Sequence, residues 1–415
     1  MTNGAEVGAV AAEPNFFYLL MAPQALFAGP VINQELLPSM TRSIIQLMRI
    51  LFITASYLPT ANGVTYHIVS TAHALRKLGH KVYILAPSFP GYRDLDKDVI
   101  RYPSLPNPLI KNYPVGIPFR PIEKIKKLKI DIVHTHHPLI IGRVASQIAE
   151  KLGKPLFFTA HTQYEQYLNY YFPYRYDLTS KIIINDLKRM SRYSKKIICP
   201  SINTEKRLNK NGVKNTIVIN NGVEDFFFNK PQPKSLSIPS LVYTGRLDRE
   251  KNPFHLLKVA KEVKKIIPNF KFLILGSGLL FQKMLDQTFK LRLLDNITYM
   301  GIIDRKLIPE IYKSVHLFVT TSISEVMPIS VLEAMASGIP IIALKNSGLE
   351  EIVIDDKTGF LCDKNPRRIA EKIKEILSNP QGYLDLSLST YKYARSFTAE
   401  KTAEKLCGLY THYKN

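Results

Sequence analysis

Glu325 and Glu333 stand eight residues apart, on either side of what reads as a strand-to-helix turn. A carboxylate accepts hydrogen bonds from two hydroxyls at once, and vicinal hydroxyl pairs are what a hexose or a ribose presents. Earlier in the chain Arg246 and Lys251 follow Gly245 at a spacing of five. A guanidinium grips phosphate as a fork and an ammonium as a point charge. Two diol acceptors and two phosphate donors suit one ligand class, a sugar nucleotide.

These side chains need a scaffold that brings them together. The run His316-Leu317-Phe318-Val319-Thr320-Thr321 is apolar and β-branched, as a buried parallel strand should be. Val331, Leu332, Met335 and Ala336 recur at helical spacing. Pro328 suits the first turn, and Gly338 with Pro340 stops the helix. Glu325 is therefore expected in the loop at a strand's carboxyl end, with Glu333 just inside the helix. Open α/β sheets bind ligands at that place. A helix N-terminus there offers N–H groups and partial positive charge to a phosphate.

The same alternation runs through the chain. Strand-like runs fall at 49–54, 81–86, 130–134, 156–160 and 196–199, then at 240–244, 271–275, 297–300, 316–321 and 340–344. Helical runs lie between them, which implies α/β domains with parallel, doubly wound sheets and right-handed crossovers. The polar, proline-rich stretch from Asn229 reads as a linker. The expected layout is an acceptor domain at 48–228, a linker at 229–236, a donor domain at 237–388 and C-terminal helices at 389–415. Residues 1–47 carry a charge of −2 against about +24 for the rest, and look unlike it. They are expected to be a poorly structured extension, with Met48 the expected start of the fold. Their apolar part, 16–32, is short and broken by Pro23, Gly29 and Pro30, unlike a membrane span or a secretory signal.

The formal charge of +22 favours anionic partners. Cys199, Cys362 and Cys407 are far apart and lack metal-ligand spacing, as expected of a reduced, cytoplasmic protein without disulfides or structural zinc. No Gly-x(4)-Gly-Lys-Ser/Thr loop occurs, so ATP-driven chemistry is not expected. Nucleic acid is not an expected partner either, because nothing but charge points to it. Asp94 and Asp96 form an Asp-x-Asp in a polar loop and read as solvated rather than metal-binding.

The Glu-x7-Glu pattern over 325–333 resembles that of the retaining glycosyltransferases of family 4, the group 1 glycosyltransferases of GT-B architecture. Gly245-Arg246-Leu247-x(3)-Lys251-Asn252 resembles the Gly-Arg-Leu-x(3)-Lys-Asn signature of the same family. The resemblance implies two Rossmann-like domains facing a central cleft, with C-terminal helices packing back onto the first. It assigns Arg246 and Lys251 to the donor diphosphate, Glu325 to the donor sugar and Glu333 to the ribose hydroxyls. Gly245, Gly276, Met327, Pro328, Ile329 and Ser330 complete the expected donor site. Two departures stand out. The family usually has Asp where Ser277 stands, and often Gly-Phe-Gly where this chain has Val326-Met327-Pro328. Pro328 has no N–H for the sugar, so the hexose is not legible.

On the acceptor side, Asn62-Gly63 replaces the two glycines usual in the family. His161, in a His-Thr pair at the end of a strand, is expected near the reacting carbon; it joins Glu325, Arg246 and Lys251 as the expected catalytic set. His134, His136 and Tyr164 join Asn62 and Gly63 as expected acceptor-pocket residues. A metal on the histidines is not expected, since no carboxylate or cysteine completes a site nearby. The segment His161-Thr162-Gln163-Tyr164-Glu165-Gln166-Tyr167 resembles the acceptor region of diacylglycerol glycosyltransferases. Many tyrosines follow, and then a basic amphipathic stretch at 178–196; such elements suit an anionic membrane surface. The expected activity is hexosyl transfer from a UDP- or GDP-linked sugar to a hydroxyl, such as that of a lipid, without a cofactor. A catalytically weak sugar-nucleotide-binding subunit is the alternative.

Overall fold

The computed structural model describes residues 47–107, 114–117, 122–163, 176–346 and 348–414. The first half runs β1 (Arg49–Ile53), α1 (Gly63–Lys77), β2 (Lys81–Pro87), β3 (Val99–Tyr102), β4 (Ser104–Leu105), β5 (Val115–Gly116) and α2 (Ile122–Lys126). It continues with β6 (Ile132–Thr135), α3 (Leu139–Leu152), β7 (Leu156–Thr159), α4 (Tyr176–Tyr193), β8 (Lys196–Cys199), α5 (Ile202–Lys210) and β9 (Thr216–Val218). The second half runs β10 (Ser240–Thr244), α6 (Pro253–Ile266), β11 (Lys271–Leu275), α7 (Phe281–Lys290), β12 (Ile297–Gly301) and α8 (Ile308–Lys313). Then come β13 (Leu317–Thr320), α9 (Ile329–Ala336), β14 (Ile341–Leu344), β15 (Gly359–Cys362), α10 (Pro366–Leu377), α11 (Pro380–Ala394) and α12 (Ala399–Tyr413).

Two parallel sheets result. The first has the order β3-β2-β1-β6-β7-β8-β9 and the second β12-β11-β10-β13-β14-β15. In each sheet the chain winds outward from the first strand and then back past it. The order therefore reverses between β1 and β6, and again between β10 and β13. A crevice opens at the carboxyl ends of the strands at such a switch point. The Glu325 loop leaves β13 and the Gly245 loop leaves β10, so the donor motifs flank one crevice. The loops after β1 and β6 flank the other.

The central strands are buried on both faces, as helices on each side of a parallel sheet require. The chain's last helix belongs to the first half's core. Ala403, Leu406 and Tyr410 of α12 pack with Ile50, Phe52 and Ile68. The C-terminal stretch expected as helices at 389–415 holds the end of α11 and α12, with a break before Thr398, whose side chain caps α12 by accepting from the Lys401 amide.

Polar bonds tie the halves together across the cleft. Gln163 Nε2 donates to the Glu325 carbonyl at 2.7 Å, and Asn221 Nδ2 to the Met327 carbonyl at 2.9 Å. The Glu351 carboxylate accepts from the Ile202 and Asn203 amides, 2.8 and 2.5 Å, at the start of α5. The Asp-x-Asp loop is paired rather than simply solvated: Asp94 holds Arg101 at 2.7 Å and Asp96 holds Arg76 at 2.7 Å.

Candidate active site

Each donor-side residue is placed by a local feature of the chain. At the end of β10, Gly245 lets the backbone turn beside the loop after β11. There Gly276 has φ +127°, and a Cβ on it would run into the Gly245 carbonyl. The two loops touch through backbone, which only glycine permits. Gly276→Ala should therefore lower the melting temperature by several degrees, from about 1–3 kcal/mol of backbone strain plus the clash. Thermal unfolding checks this, and an unchanged midpoint would refute the close approach. Helix α9 starts after Pro328, its N-cap, and ends at Gly338 with φ +70°. Its N-terminal amides face the cleft with no side chain capping them.

One cavity of about 510 Å³ runs between the halves. Asn62, Gly63 and His161 line it from one side. From the other come Gly245, Arg246, Lys251 and Gly276, together with Glu325, Met327, Pro328, Ile329, Ser330 and Glu333. Every expected donor residue lies on this one surface.

The charges are prearranged. Lys251 Nζ sits 2.6 Å from Glu325 Oε1, so the two are held neutral as a pair until a ligand separates them. Two of the five N–H donors of Arg246 go to Asp248, at 2.7 Å, and to Glu250, which fixes the guanidinium plane. Glu333 is buried, and burial pushes its carboxyl above the usual range, against the pull of Arg305. Arg305 donates to Glu333 Oε1 from two nitrogens, at 2.9 and 2.6 Å, and also to Glu224.

Five histidines gather under the acceptor side. His134 and His136, expected in the acceptor pocket, are fully buried and do not line the cavity. His134 bonds Thr159 at 2.7 Å and Tyr410 at 2.6 Å, so it joins β6 to β7 and α12. His136 Nδ1 lies 3.0 Å from His161 Nε2, behind the cavity wall. Strand β6 is buried on both faces, and its side chains point into packed layers. His136 follows the strand directly, and His137, two residues beyond it, reaches the cavity instead. Burial lowers the pKa of all five, to about 4 for His67 and His137, so each is a neutral imidazole at pH 7.

His67, His136 and His161 bring ring nitrogens within 4.8 Å of one another, close enough to share a metal ion. His136 Nδ1 and His161 Nε2 are hydrogen-bonded to each other.

Tyr164 lies outside the described residues, as do residues 1–46. Sequence reasoning passed over His67, His137, Tyr66, Glu250 and Arg305. Of these, Glu250 carried a signal, since it sits inside the Gly245–Asn252 motif. The others meet the site only through long-range packing.

The family described as Glycosyltransferase Family 4 matches residues 61–225, and that described as Glycosyl transferases group 1 matches residues 225–397. The chain belongs to the group 1 glycosyltransferases. This glycosyltransferase is 27% identical over 395 residues to an alpha-monoglucosyldiacylglycerol synthase of Acholeplasma laidlawii, covering 86% of this chain and 96% of that one. Among solved structures it is similar to a sucrose-phosphate synthase of Thermosynechococcus elongatus, with a TM-score of 0.73 at 21% identity over 88% of this chain and 98% of that chain. It is also similar to Anabaena HepE in complex with UDP and glucose, with a TM-score of 0.70 at 17% identity, over 88% of this chain and 100% of that one. The architecture of the glycosyltransferase is GT-B, as its motifs imply.

Proposed function

We propose that this glycosyltransferase is a retaining, metal-independent hexosyltransferase that moves a hexose from a UDP- or GDP-linked donor to a hydroxyl of a membrane lipid such as diacylglycerol. One observation carries the reading: Arg246, Lys251, Glu325 and Glu333 share a single cavity with Asn62, Gly63 and His161. Arg246, Lys251 and the N-terminus of α9 take the diphosphate, Glu325 the sugar hydroxyls and Glu333 the ribose. The phosphate charge is met by these cations and amides, so the chemistry asks for no divalent ion. The acceptor hydroxyl attacks on the face the diphosphate leaves, and a departing phosphate oxygen takes its proton. Neutral His161 orients the reacting groups by hydrogen bonding. Cleft closure excludes the water that would otherwise hydrolyse the donor.

The lipid acceptor is supported by the Acholeplasma relative and by the surface of the first half. Helix α4 buries Ile183, Leu187 and Met190, while Ile182 stays 52% exposed beside exposed Lys181. No helix among the described residues is long and apolar enough to cross a membrane. In this reading attachment is peripheral, through basic and apolar side chains on the cytoplasmic, anionic leaflet. Sedimentation should show several-fold more protein on anionic than on zwitterionic vesicles, with the difference shrinking as salt rises. Equal binding to both would remove the membrane part of the reading.

The activity test supplies UDP- and GDP-hexoses with diacylglycerol in anionic vesicles, and the product is read by NMR. An α-linked glycolipid from an α-linked donor, formed equally with and without EDTA, is the expected result. An inverted anomer, or activity abolished by EDTA, would overturn the mechanism. Donor binding without transfer or hydrolysis would favour a sugar-nucleotide-binding subunit instead.

A further inference from the structure

Arg305 lies in the turn after β12, a position that no motif singles out. Its side chain is 10% exposed and sits between two carboxylates, Glu333 of α9 and Glu224 from the end of the first half. Three aromatic rings enclose the guanidinium: Tyr66 at 4.7 Å, Phe227 at 5.0 Å and Phe226 at 5.7 Å. Tyr66 belongs to α1 and also lines the cavity. One side chain from the donor half thus touches the ribose-side glutamate and the acceptor-half helix together.

The hydrogen bonds to Glu333 are asymmetric. Both go to Oε1. Oε2 has no hydrogen-bond partner among the described residues, and it is not one of the buried side-chain atoms sealed without a partner. The surface that Glu333 retains therefore opens on the cavity it lines. A glutamate this deeply buried would protonate or rotate without a fixed cation beside it.

We propose that Arg305 is a positioning residue for the donor: it clamps Glu333 by one oxygen and so presents the other oxygen to the vicinal hydroxyls of the nucleoside ribose. The inference rests on the proposed donor site and adds to it a residue that never touches the reacting atoms. The groups facing Glu333 and Arg305 are few. Burial and Glu224 oppose ionisation of Glu333, Arg305 favours it, and His73 lies 3.7 Å from Glu224 with its ring largely exposed. Removing the guanidinium leaves burial and Glu224 to act unopposed, so Glu333 takes up its proton at a higher pH. Ribose binding then weakens at neutral pH and recovers as the pH rises.

The test uses the full chain with whichever UDP- or GDP-hexose the wild type turns over, assayed from pH 6.5 to 9. Arg305→Met should raise the donor KM about tenfold at pH 6.5, the effect of one lost charge-assisted hydrogen bond, with a much smaller change in kcat. That KM should fall back toward the wild-type value by pH 9, while the wild-type KM stays flat. Arg305→Lys, which keeps the charge but not the fork, should lie between. A donor lacking the ribose 2′-hydroxyl should be discriminated against by the wild type and far less by Arg305→Met. A KM rise independent of pH in both variants, or an unchanged KM, overturns the proposal. If Arg305→Met does not fold, the pH profile of Arg305→Lys decides in the same way. Glu333→Gln separates the two ideas: if it leaves the donor KM unchanged, the ribose site itself is wrong. If it raises KM while the Arg305 variants do not, only the role of Arg305 falls.

Discussion

Lys251→Met should lower kcat about 10²–10³-fold, the usual cost of removing one preorganised donor from a developing oxyanion. The ammonium is held 2.6 Å from Glu325 in a partly buried site, so it is aimed before the donor arrives. When the glycosidic bond breaks, negative charge builds on the diphosphate, and a fixed cation there stabilises the transition state more than the ground state. KM should change less than kcat for that reason. Methionine keeps the length of the side chain, so the loss reports charge rather than packing. The double variant Lys251→Met/Glu325→Gln controls for the stranded carboxylate and should be no less stable than the single one. Arg246→Ala is a poorer test, because it would leave Glu250, 3% exposed, without its charged partner. An unchanged kcat in Lys251→Met would remove the ammonium from the mechanism.

Acid should unfold the protein steeply. His67, His134 and His136 are buried and His137 and His161 half-buried, all as neutral rings, and desolvation lowers the pKa of each from 6.5. In the unfolded chain they titrate near 6.5, so below that pH the unfolded state binds more protons than the folded one. The stability they represent is complete above pH 6.5 and is lost as the pH falls toward about 4, the folded value for His67 and His137. Each ring contributes up to about 1.4 kcal/mol per pH unit, and the five together on the order of 5 kcal/mol per unit. Calorimetry from pH 7.5 to 5 should show the melting temperature constant down to about pH 6.5 and then falling by about 10 °C or more per pH unit. A midpoint flat across that range would mean that the cluster is already charged or solvated. A second consequence concerns catalysis. His161 stays neutral throughout pH 6.5–8, so it adds no acid limb to the kcat profile there.

The gathering of the expected donor residues on one cavity was largely legible because its parts are local. The Gly245–Asn252 and Glu325–Pro340 segments each sit on one strand-to-helix turn, and the strand pattern alone places both turns at carboxyl ends. Parallel winding then brings them to one crevice, as β10 and β13 pair directly. The acceptor side was less legible. In β6 every residue is buried, and His136 and His137 lie just past its end, so strand alternation could not separate the buried His134 and His136 rings from His137. His67 sits on α1 without a partner nearby in sequence, and it meets His161 ring to ring at 4.6 Å only because α1 crosses the strand ends. Arg305 was invisible for the same reason, lying 28 residues from Glu333 and 81 from Glu224. The expected C-terminal helices at 389–415 do pack on the first half, through Ala403, Leu406 and Tyr410, but the break that Thr398 makes was not legible.

A crystal structure with the bound sugar nucleotide tests the central claim most directly. The diphosphate is expected within hydrogen-bond reach of Arg246, Lys251 and the first amides of α9, with the hexose against Glu325 and the ribose on Glu333. A donor bound with its phosphates outside that cleft, or with both glutamates facing away from its hydroxyls, would contradict the account.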